Sequence, residues 1–266
     1  MRRQPRRMLT LAGALAATLA LAAGCAAGTA EPAATPAAAE SGLDGTLTIF
    51  AAASLQTAFD EIAVAFEAEH PGVDIRPISF DGSSTLATQL IEGASADVFA
   101  AADEQTMQKV VAAGLATGPE AFASNTLVIA VPAGNPAGVA GLADLADPAT
   151  TVVLCASEVP CGAASRTLLA NAGLSVTPAS LEQNVTAVLT KVAADVADAG
   201  LVYATDVIGD GDVEAIVPDG AAEVVNRYPI VALSAAPDAK AAAAFVAFVL
   251  GDRGQAILAE LGFGRP

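Results

Sequence analysis

The sequence has few of the side chains on which enzymes and metal sites usually depend. Its 266 residues include no tryptophan, two tyrosines, three cysteines and a single histidine, His70. Because serine hydrolases and most transition-metal sites use imidazole groups, this composition argues against both. The sequence G-x-S-x-G, which carries the nucleophile of α/β-hydrolases, does not occur. An enzyme is therefore the less favoured class for this chain.

Positive charge is also scarce. Lysine and arginine together number 12 against 29 aspartates and glutamates, which makes the formal net charge −17 at pH 7. A protein that binds nucleic acid needs a basic surface, so the composition argues against that class. Long-range attraction of an anion is not expected either, so any anion site must work through short-range donors.

The first 24 residues predict an export signal. Residues 1–7 contain four arginines, and residues 8–24 are apolar and lead into Cys25. The stretch LAAGC, residues 21–25, resembles the cleavage site of bacterial lipoproteins, which implies that Cys25 becomes a lipidated first residue. Simple secretion and an uncleaved anchor are the alternatives, and Arg6–Arg7 leaves twin-arginine export open.

Residues 25–44 are rich in alanine, proline, threonine and glutamate, without a period. This composition predicts a flexible tether between the lipid and the folded domain.

Two further cysteines, Cys155 and Cys161, lie close together in LCASEVPCG. Exported proteins occupy compartments in which disulfides persist, so the sequence predicts a disulfide between them. Closing so short a loop restricts the unfolded chain only slightly. The bridge should therefore stiffen its loop more than it stabilises the fold.

From residue 45 onward, apolar strand-like runs alternate with amphipathic helices, which predicts an α/β fold with mostly parallel strands. A strand over residues 46–52 is followed by a helix that begins at Ser54 and ends near His70, so Ser54 is predicted to be its N-cap. A second strand is predicted over residues 73–79. The first helix has apolar residues at helical spacing that predict its buried face: Leu55, Phe59, Ile62 and Phe66.

The same succession of strand, small residue and helix start recurs along the chain. Ser83 follows a strand in GSST, residues 159–162 form a loop before a helix, and Asn184–Val185 open another helix. Tyr203 ends a strand and adds a phenolic hydroxyl. Free N–H groups at helix starts suit an anion, so together these positions predict a cage of uncharged donors. Each position also has an ordinary explanation, as a helix cap, a core residue, half of a disulfide or a strand-end aromatic.

Five stretches of the chain together carry a family resemblance: FAAASL, SFDGSSTLATQLIEGASADVFAAAD, VPCGAASR, GLVYATD and RYPIVAL. They resemble the periplasmic molybdate-binding proteins of ABC transporters, and the resemblance covers residues 45–264. It implies a type II periplasmic-binding fold, in which two α/β lobes are joined by two crossing strands, here residues 127–131 and 228–233. The implied lobes are residues 45–126 with 228–266, and residues 127–227.

The resemblance further implies a ligand site that needs no cofactor and no metal cation. The ligand would be molybdate, bound as an oxyanion, and tungstate should bind similarly. Asp81 departs from the family pattern, and because its carboxylate would repel a dianion, it is expected to point to solvent. Cys161 stands where alanine is common, but a backbone donor survives that change. The implied donors are the hydroxyls of Ser54, Ser83 and Tyr203 and the N–H groups of Cys161 and Val185.

The resemblance also implies a place in the cell. A monomeric, lipid-anchored receptor outside the cytoplasmic membrane would deliver the anion to the permease and ATPase of an ABC importer. Sulfate, phosphate or tungstate alone are alternative ligands. Iron-binding relatives use tyrosine clusters, whereas only Tyr203 and Tyr228 occur here. A lipoprotein that binds only other proteins is a further alternative.

Overall fold

The computed structural model describes residues 42–266, in which strands and helices alternate as an α/β fold requires. The predicted signal peptide, Cys25 and most of the predicted tether lie outside these residues. Three short 3₁₀ turns complete the secondary structure at Ala53–Leu55, Leu142–Ala146 and Ala221–Glu223. In chain order the strands and helices are β1 (Asp44–Leu47), β2 (Ile49–Ala52), α1 (Gln56–Glu69), β3 (Gly72–Ile75), β4 (Ser79–Asp81), α2 (Ser83–Ile91), β5 (Val98–Ala100), α3 (Glu104–Ala112), β6 (Glu120–Pro132), β7 (Val152–Cys155), α4 (Pro160–Asn171), β8 (Ser180–Glu182), α5 (Val185–Ala193), β9 (Ala199–Tyr203), β10 (Val213–Ile216), β11 (Val225–Ala232), α6 (Ala239–Leu250) and α7 (Asp252–Glu260).

Nine strands form one mixed sheet in the order β4–β2–β5–β11–β6–β9–β7–β8, with β10 pairing beside β6. The strands β4, β2 and β5 are mutually parallel at one end of this order and form the first lobe with their helices. The strands β8, β7 and β9 are parallel at the other end and form the second lobe. Between them, β11 and β6 run antiparallel to their neighbours. This arrangement is the predicted two-lobed α/β fold with two crossing strands.

The long strand β6 belongs to both lobes. Its residues 120–126 pair with β11, and residues 127–130 pair with β9. The two crossing strands were predicted within β6 and β11, and both are longer than predicted at their N-terminal ends. The pairing of β11 with β6 shifts register between Tyr228 and Pro229, as expected for a residue that has no N–H to donate. The exact lobe boundaries stay a prediction.

The apolar face predicted for α1 is confirmed. Leu55, which precedes α1, and Phe59, Ile62 and Phe66 within it are all fully buried. The ring of Phe59 lies 5.8 Å from that of Phe122 on β6, and the ring of Phe66 lies 5.3 Å from that of Phe245 on α6. Aromatic packing of this kind ties the first helix to the crossing strand and to the C-terminal helices.

The strand predicted over residues 73–79 is wrong as a single element. It is divided into β3 and β4 around Pro77, which cannot donate to a strand ladder. β3 pairs with β1 in a separate two-stranded sheet, and only β4 joins the main sheet. The strand end that carries Asp81 is therefore β4.

Within residues 42–266, no single helix is long and apolar enough to cross a membrane. By length and composition alone, the bent pair of α6 and α7 meets that test when the two helices are taken together.

Candidate functional site

All five residues implied as donors lie on the wall of one cavity between the two lobes. They stand where strands end and helices begin, the usual position of ligand sites in open α/β sheets. The space open to the centre of a water-sized sphere is 10 Å³, which is roughly what one water molecule needs. The cavity is therefore small.

Ser54 reaches the cavity from a 3₁₀ turn and does not cap a helix. It is the middle residue of the turn Ala53–Leu55, and α1 begins only at Gln56, without a side-chain cap. Its Oγ lies 3.1 Å from Tyr228 Oη. The predicted N-cap is therefore wrong, because sequence alone does not separate a 3₁₀ turn from the first turn of an α-helix. The hydroxyl is held by a side chain from the second crossing strand.

Ser83 is the first residue of α2 and is fully buried. Its Oγ accepts a hydrogen bond of 3.0 Å from the N–H of Ala102. The carbonyl of Ala102 accepts from Asn226 Nδ2 at 2.9 Å, and the same amide nitrogen donates to Tyr203 Oη at 3.0 Å. A short series of hydrogen bonds thus connects Ser83 of the first lobe to Tyr203 of the second.

These bonds leave hydroxyl protons available for a ligand. The oxygens of Ser83 and Tyr203 each accept from a protein N–H, so each of these hydroxyls still has its own hydrogen to donate. Tyr228 can likewise donate to Ser54. Burial raises the pKa of Tyr203 and of Tyr228 well above the ordinary value, which keeps both phenols protonated near neutral pH. The neutral hydroxyls of Ser54, Ser83 and Tyr203 can therefore each donate a hydrogen bond to an acceptor in the cavity.

The predicted disulfide between Cys155 and Cys161 is present. The loop predicted before α4 is partly wrong, because α4 begins at Pro160 and therefore places Cys161 in its first turn. Proline fits this position, where a missing N–H costs no helical bond. The turn is tightly packed, since a Cβ on Gly162 would lie 1.8 Å from the carbonyl oxygen of Ala156. Free N–H groups at the start of α4 are thus held firmly at the cavity.

The start of α5 supplies further free N–H groups from the same lobe as α4. Asn184 is the N-cap, and its Oδ1 accepts from the N–H of Ala187 at 2.9 Å. Val185, the first helical residue, is buried and lines the cavity. Its side chain has no polar atom, so its only contribution to an anion is a backbone N–H without a partner in the helix.

The lining contains one charged side chain. Among the described residues that line the cavity, none is lysine or arginine, and Asp81 is the one carboxylate. The prediction that Asp81 points to solvent is wrong. Its Oδ1 accepts from the N–H of Gly82 at 2.7 Å and from Asn184 Nδ2 at 2.8 Å. This second partner lies 103 residues away in the chain, so no local pattern could have revealed it.

A cation site is absent from the described part of the chain. Within residues 42–266, no group of three or more histidine, cysteine, aspartate or glutamate side chains could hold a metal ion. The polar groups on the cavity wall other than Asp81 are hydroxyls, the side-chain amide of Asn184 and peptide groups at helix starts.

Residues 47–264 match the family of bacterial extracellular solute-binding proteins. The chain belongs to this family. Solute-binding proteins of this kind are receptors, which agrees with the arguments against an enzyme made from the composition.

Two curated relatives cover most of this solute-binding chain. The molybdate-binding protein ModA of Mycobacterium tuberculosis is 45% identical over 223 residues, which make up 83% of this chain and 85% of the relative. A putative ABC transporter substrate-binding lipoprotein, YvgL of Bacillus subtilis, is 28% identical over 225 residues, which make up 82% and 86% of the two chains.

Solved structures share the fold of this solute-binding protein. The periplasmic molybdate-binding protein of Azotobacter vinelandii matches with a TM-score of 0.68 at 20% identity, over 83% of this chain and 99% of that one. The sulfate-binding protein SubI of Mycobacterium tuberculosis also has a TM-score of 0.68, at 18% identity, over 82% and 86%. At such low identities these likenesses support the fold alone.

Sequence reasoning missed the residues that hold the donors in this solute-binding protein. Tyr228 and Asn226 lie on β11 and orient Ser54 and Tyr203. Asp206 accepts from the N–H of Tyr203 at 2.8 Å, and burial raises the pKa of its carboxyl to about 7. The motifs RYPIVAL and GLVYATD contain Tyr228 and Asp206, but only the folded chain shows what these side chains contact.

Proposed function

We propose that this protein is an extracytoplasmic receptor that binds molybdate, and similarly tungstate, between its lobes and delivers it to the permease and ATPase of an ABC importer. The 45% identity to a molybdate-binding protein over most of both chains supports this proposal. The structural observation that carries it is the meeting of five neutral donor positions on the wall of one small cavity.

The chemistry of the cavity suits a fully deprotonated dianion. Near neutral pH molybdate carries no proton, so each of its oxygens can only accept hydrogen bonds. We assign the donors to the hydroxyls of Ser54, Ser83 and Tyr203 and to the N–H groups of Cys161 and Val185. Each hydrogen bond to a charged group contributes roughly 1.5–3 kcal/mol. The starts of α4 and α5 add favourable dipoles, whose effect grows in a closed cavity without bulk water.

The same proposal includes attachment to the membrane through Cys25 after removal of residues 1–24, with the protein acting as a monomer. The similarity to a relative described as a lipoprotein supports this part. Mass spectrometry of the exported protein should find a lipid-modified Cys25 at its N-terminus. Release of a Cys25→Ser variant from the membrane should accompany loss of that modification, whereas an unmodified, freely secreted wild type would contradict the anchor.

Thermal unfolding tests the ligand directly. An anion at 100 times its Kd stabilises the folded state by about 2.7 kcal/mol, which corresponds to about 5–10 °C for a domain of this size. Molybdate and tungstate should produce such a shift, and sulfate and phosphate at the same concentration should not. A shift with another anion and none with molybdate would overturn the assignment.

Hydrogen phosphate is the second candidate, favoured by Asp81 in the cavity wall. A ligand that keeps a proton needs an acceptor, and Asp81 is a carboxylate at the right place. If phosphate were the ligand, Asp81→Asn would abolish its binding. For molybdate the same variant should bind at least as well as wild type, because it removes a negative charge.

A further inference from the structure

The two ends of the main sheet meet across the cavity. Strands β4 and β8 are the first and last in the strand order, separated by six strands. Asp81, the last residue of β4, nevertheless contacts Asn184, two residues after β8, because Asn184 Nδ2 donates to Asp81 Oδ1 at 2.8 Å. This hydrogen bond therefore joins the two lobes and can exist only while they are closed.

Two more contacts accompany this bond. The hydroxyl of Ser84 donates to the backbone carbonyl of Glu158, which lies between β7 and α4. Gly82 packs against the backbone of Gln183 so closely that a Cβ on the glycine would lie 2.1 Å from the Gln183 carbonyl oxygen. Three closely spaced residues of the first lobe, Asp81, Gly82 and Ser84, thus touch three residues of the second along one rim of the cavity.

Both partners of the central bond are anchored within their own lobes. Asp81 Oδ1 also accepts from the N–H of Gly82 at the start of α2, and Asn184 Oδ1 accepts from the N–H of Ala187 in α5. Opening the lobes would break the bond between Asp81 and Asn184 and leave both of these local bonds intact. The contact is therefore separable from the folding of either lobe.

We propose that Asp81 and Asn184, supported by Ser84 and Glu158, form a clasp that holds the lobes closed and slows the release of the bound anion. This role also explains why a carboxylate is tolerated beside a dianion, since Asp81 Oδ1 is occupied by two N–H donors. The closing action does not depend on the identity of the anion. Only the effect on its release rests on the proposed function.

Three variants test the clasp. Asp81→Ala removes the acceptor, Asp81→Asn keeps an acceptor oxygen without the charge, and Asp60→Ala removes an exposed carboxylate from α1. Hydrogen–deuterium exchange of the anion-free protein reports closure at residues 157–163 and 183–187, and exchange in β6 and β11 verifies folding. Release of radiolabelled molybdate into excess unlabelled molybdate gives the off-rate.

Asp81→Ala should raise exchange in the two rim segments and speed release about threefold to tenfold, the size expected for the net loss of one partly exposed hydrogen bond. Asp81→Asn should release molybdate within about twofold of wild type, as should Asp60→Ala. Equal behaviour of Asp81→Ala and Asp60→Ala would overturn the clasp. So would an Asp81→Asn variant as fast as Asp81→Ala, because charge and not hydrogen bonding would then be responsible.

An exchange of the two side chains makes the test stricter. Asn184→Asp keeps the cap on α5 but sets two carboxylates against each other, so release should be faster than in Asp81→Ala. Adding Asp81→Asn restores a donor–acceptor pair with the original total charge and should bring release back to within about threefold of wild type. A double variant as fast as Asn184→Asp would contradict the clasp.

Gly82→Ala tests lobe closure through a steric clash instead of a lost hydrogen bond. The added methyl group would collide with the Gln183 backbone of the other lobe, and opening the lobes would relieve the collision. Rim exchange and release should rise at least as much as in Asp81→Ala, whereas Gly141→Ala, at a glycine with open space around it, should change neither. If wild type retained no molybdate at all, the proposal that molybdate is the ligand would be wrong. Hydrogen–deuterium exchange in the two rim segments would still show whether the clasp holds the lobes closed.

Discussion

The two lobes contribute different kinds of donor to one cavity. The first lobe contributes the hydroxyls of Ser54 and Ser83, whereas the second contributes peptide N–H groups at the starts of α4 and α5 together with the hydroxyl of Tyr203. One substitution removes a side-chain hydroxyl, whereas a peptide N–H is kept after almost any substitution. We therefore expect the first lobe to be sensitive to side-chain truncation and the second to loss of local rigidity.

The supports of the donors differ in the same way. Ser54 is held by Tyr228, 174 residues away, and Ser83 is held by Ala102 on the neighbouring strand end. The second lobe instead uses local devices, namely a disulfide that spans six residues and the Asn184 cap on α5. Side-chain donors thus depend on packing between distant parts of the chain, and main-chain donors depend on the geometry of a single turn.

The largest effect is expected from removing both hydroxyls of the first lobe. Ser54→Ala and Ser83→Ala should each weaken molybdate binding about tenfold, and the double variant about a hundredfold, because each removes a hydrogen bond to a charged ligand. Isothermal titration calorimetry measures these affinities. Ser157→Ala, at an exposed serine outside the cavity, is the matched control. Unchanged affinity in both single variants would refute the donor cage.

The second effect concerns the carboxyl of Asp206, which accepts a hydrogen bond from the N–H of Tyr203. An unfolded aspartate has a pKa near 3.9, whereas the pKa of folded Asp206 is about 7. The folded state therefore binds the proton more tightly, so its stability falls as pH rises from about 4 to 7. Asp206→Asn removes this dependence, and its stability relative to wild type should grow by about 1–2 kcal/mol between pH 5 and pH 8, allowing for partial exposure.

Urea unfolding at several pH values checks this expectation. Asp210→Asn is the control, because Asp210 also accepts a backbone N–H, that of Asp212, in a nearby turn. Parallel stability curves for wild type and Asp206→Asn would mean that the buried carboxyl does not titrate in this range.

The third effect separates rigidity from stability in the second lobe. Reduction of the Cys155–Cys161 disulfide should weaken molybdate binding about threefold to tenfold, because the first turn of α4 loses its constraint. The accompanying loss of stability in the anion-free protein should be about 2 kcal/mol, which is less than for a long loop because the closed loop is short. Calorimetric titration and thermal unfolding with and without a reductant give both quantities. A large drop in stability with unchanged affinity would make the bridge purely structural.

The smallest effect on molybdate affinity is expected at Val185, because its proposed donor is a main-chain N–H and its side chain is buried. Val185→Ala should lower stability by about 1–2 kcal/mol through lost burial, yet change molybdate affinity by no more than about twofold. Titration of this variant beside Ser83→Ala compares the two lobes directly. A tenfold loss of affinity in Val185→Ala would show that the second lobe also depends on its side chains.

Much of the fold could be predicted from the sequence, because the signals are local. The buried face of α1 follows from residues three and four apart, and the strand and helix order follows from alternating apolar runs. The errors also have local causes: Pro77 splits one predicted strand, the turn at Ser54 is 3₁₀, and α4 begins earlier than predicted. Each error lies at an element boundary, where competing backbone geometries differ little in energy.

The five residues that meet at the cavity could be named only through the family resemblance, and their role as ligand donors stays a prediction. Their supporting contacts could not be predicted from the sequence. Nothing near Ser54 indicates Tyr228, and nothing near Asp81 indicates Asn184. Repulsion between a carboxylate and a dianion predicts that Asp81 points to solvent, but Asp81 accepts hydrogen bonds from two N–H groups of the protein.

The sequence by itself determined the α/β class, the alternation of strands and helices and the disulfide, because each depends on residues close together in the chain. Only the tertiary structure decided which hydrogen atoms are free to reach a ligand and how the lobes touch. These properties depend on side chains from β11 and on the meeting of β4 with β8, which adjoin the site only after the sheet has formed and the lobes have closed.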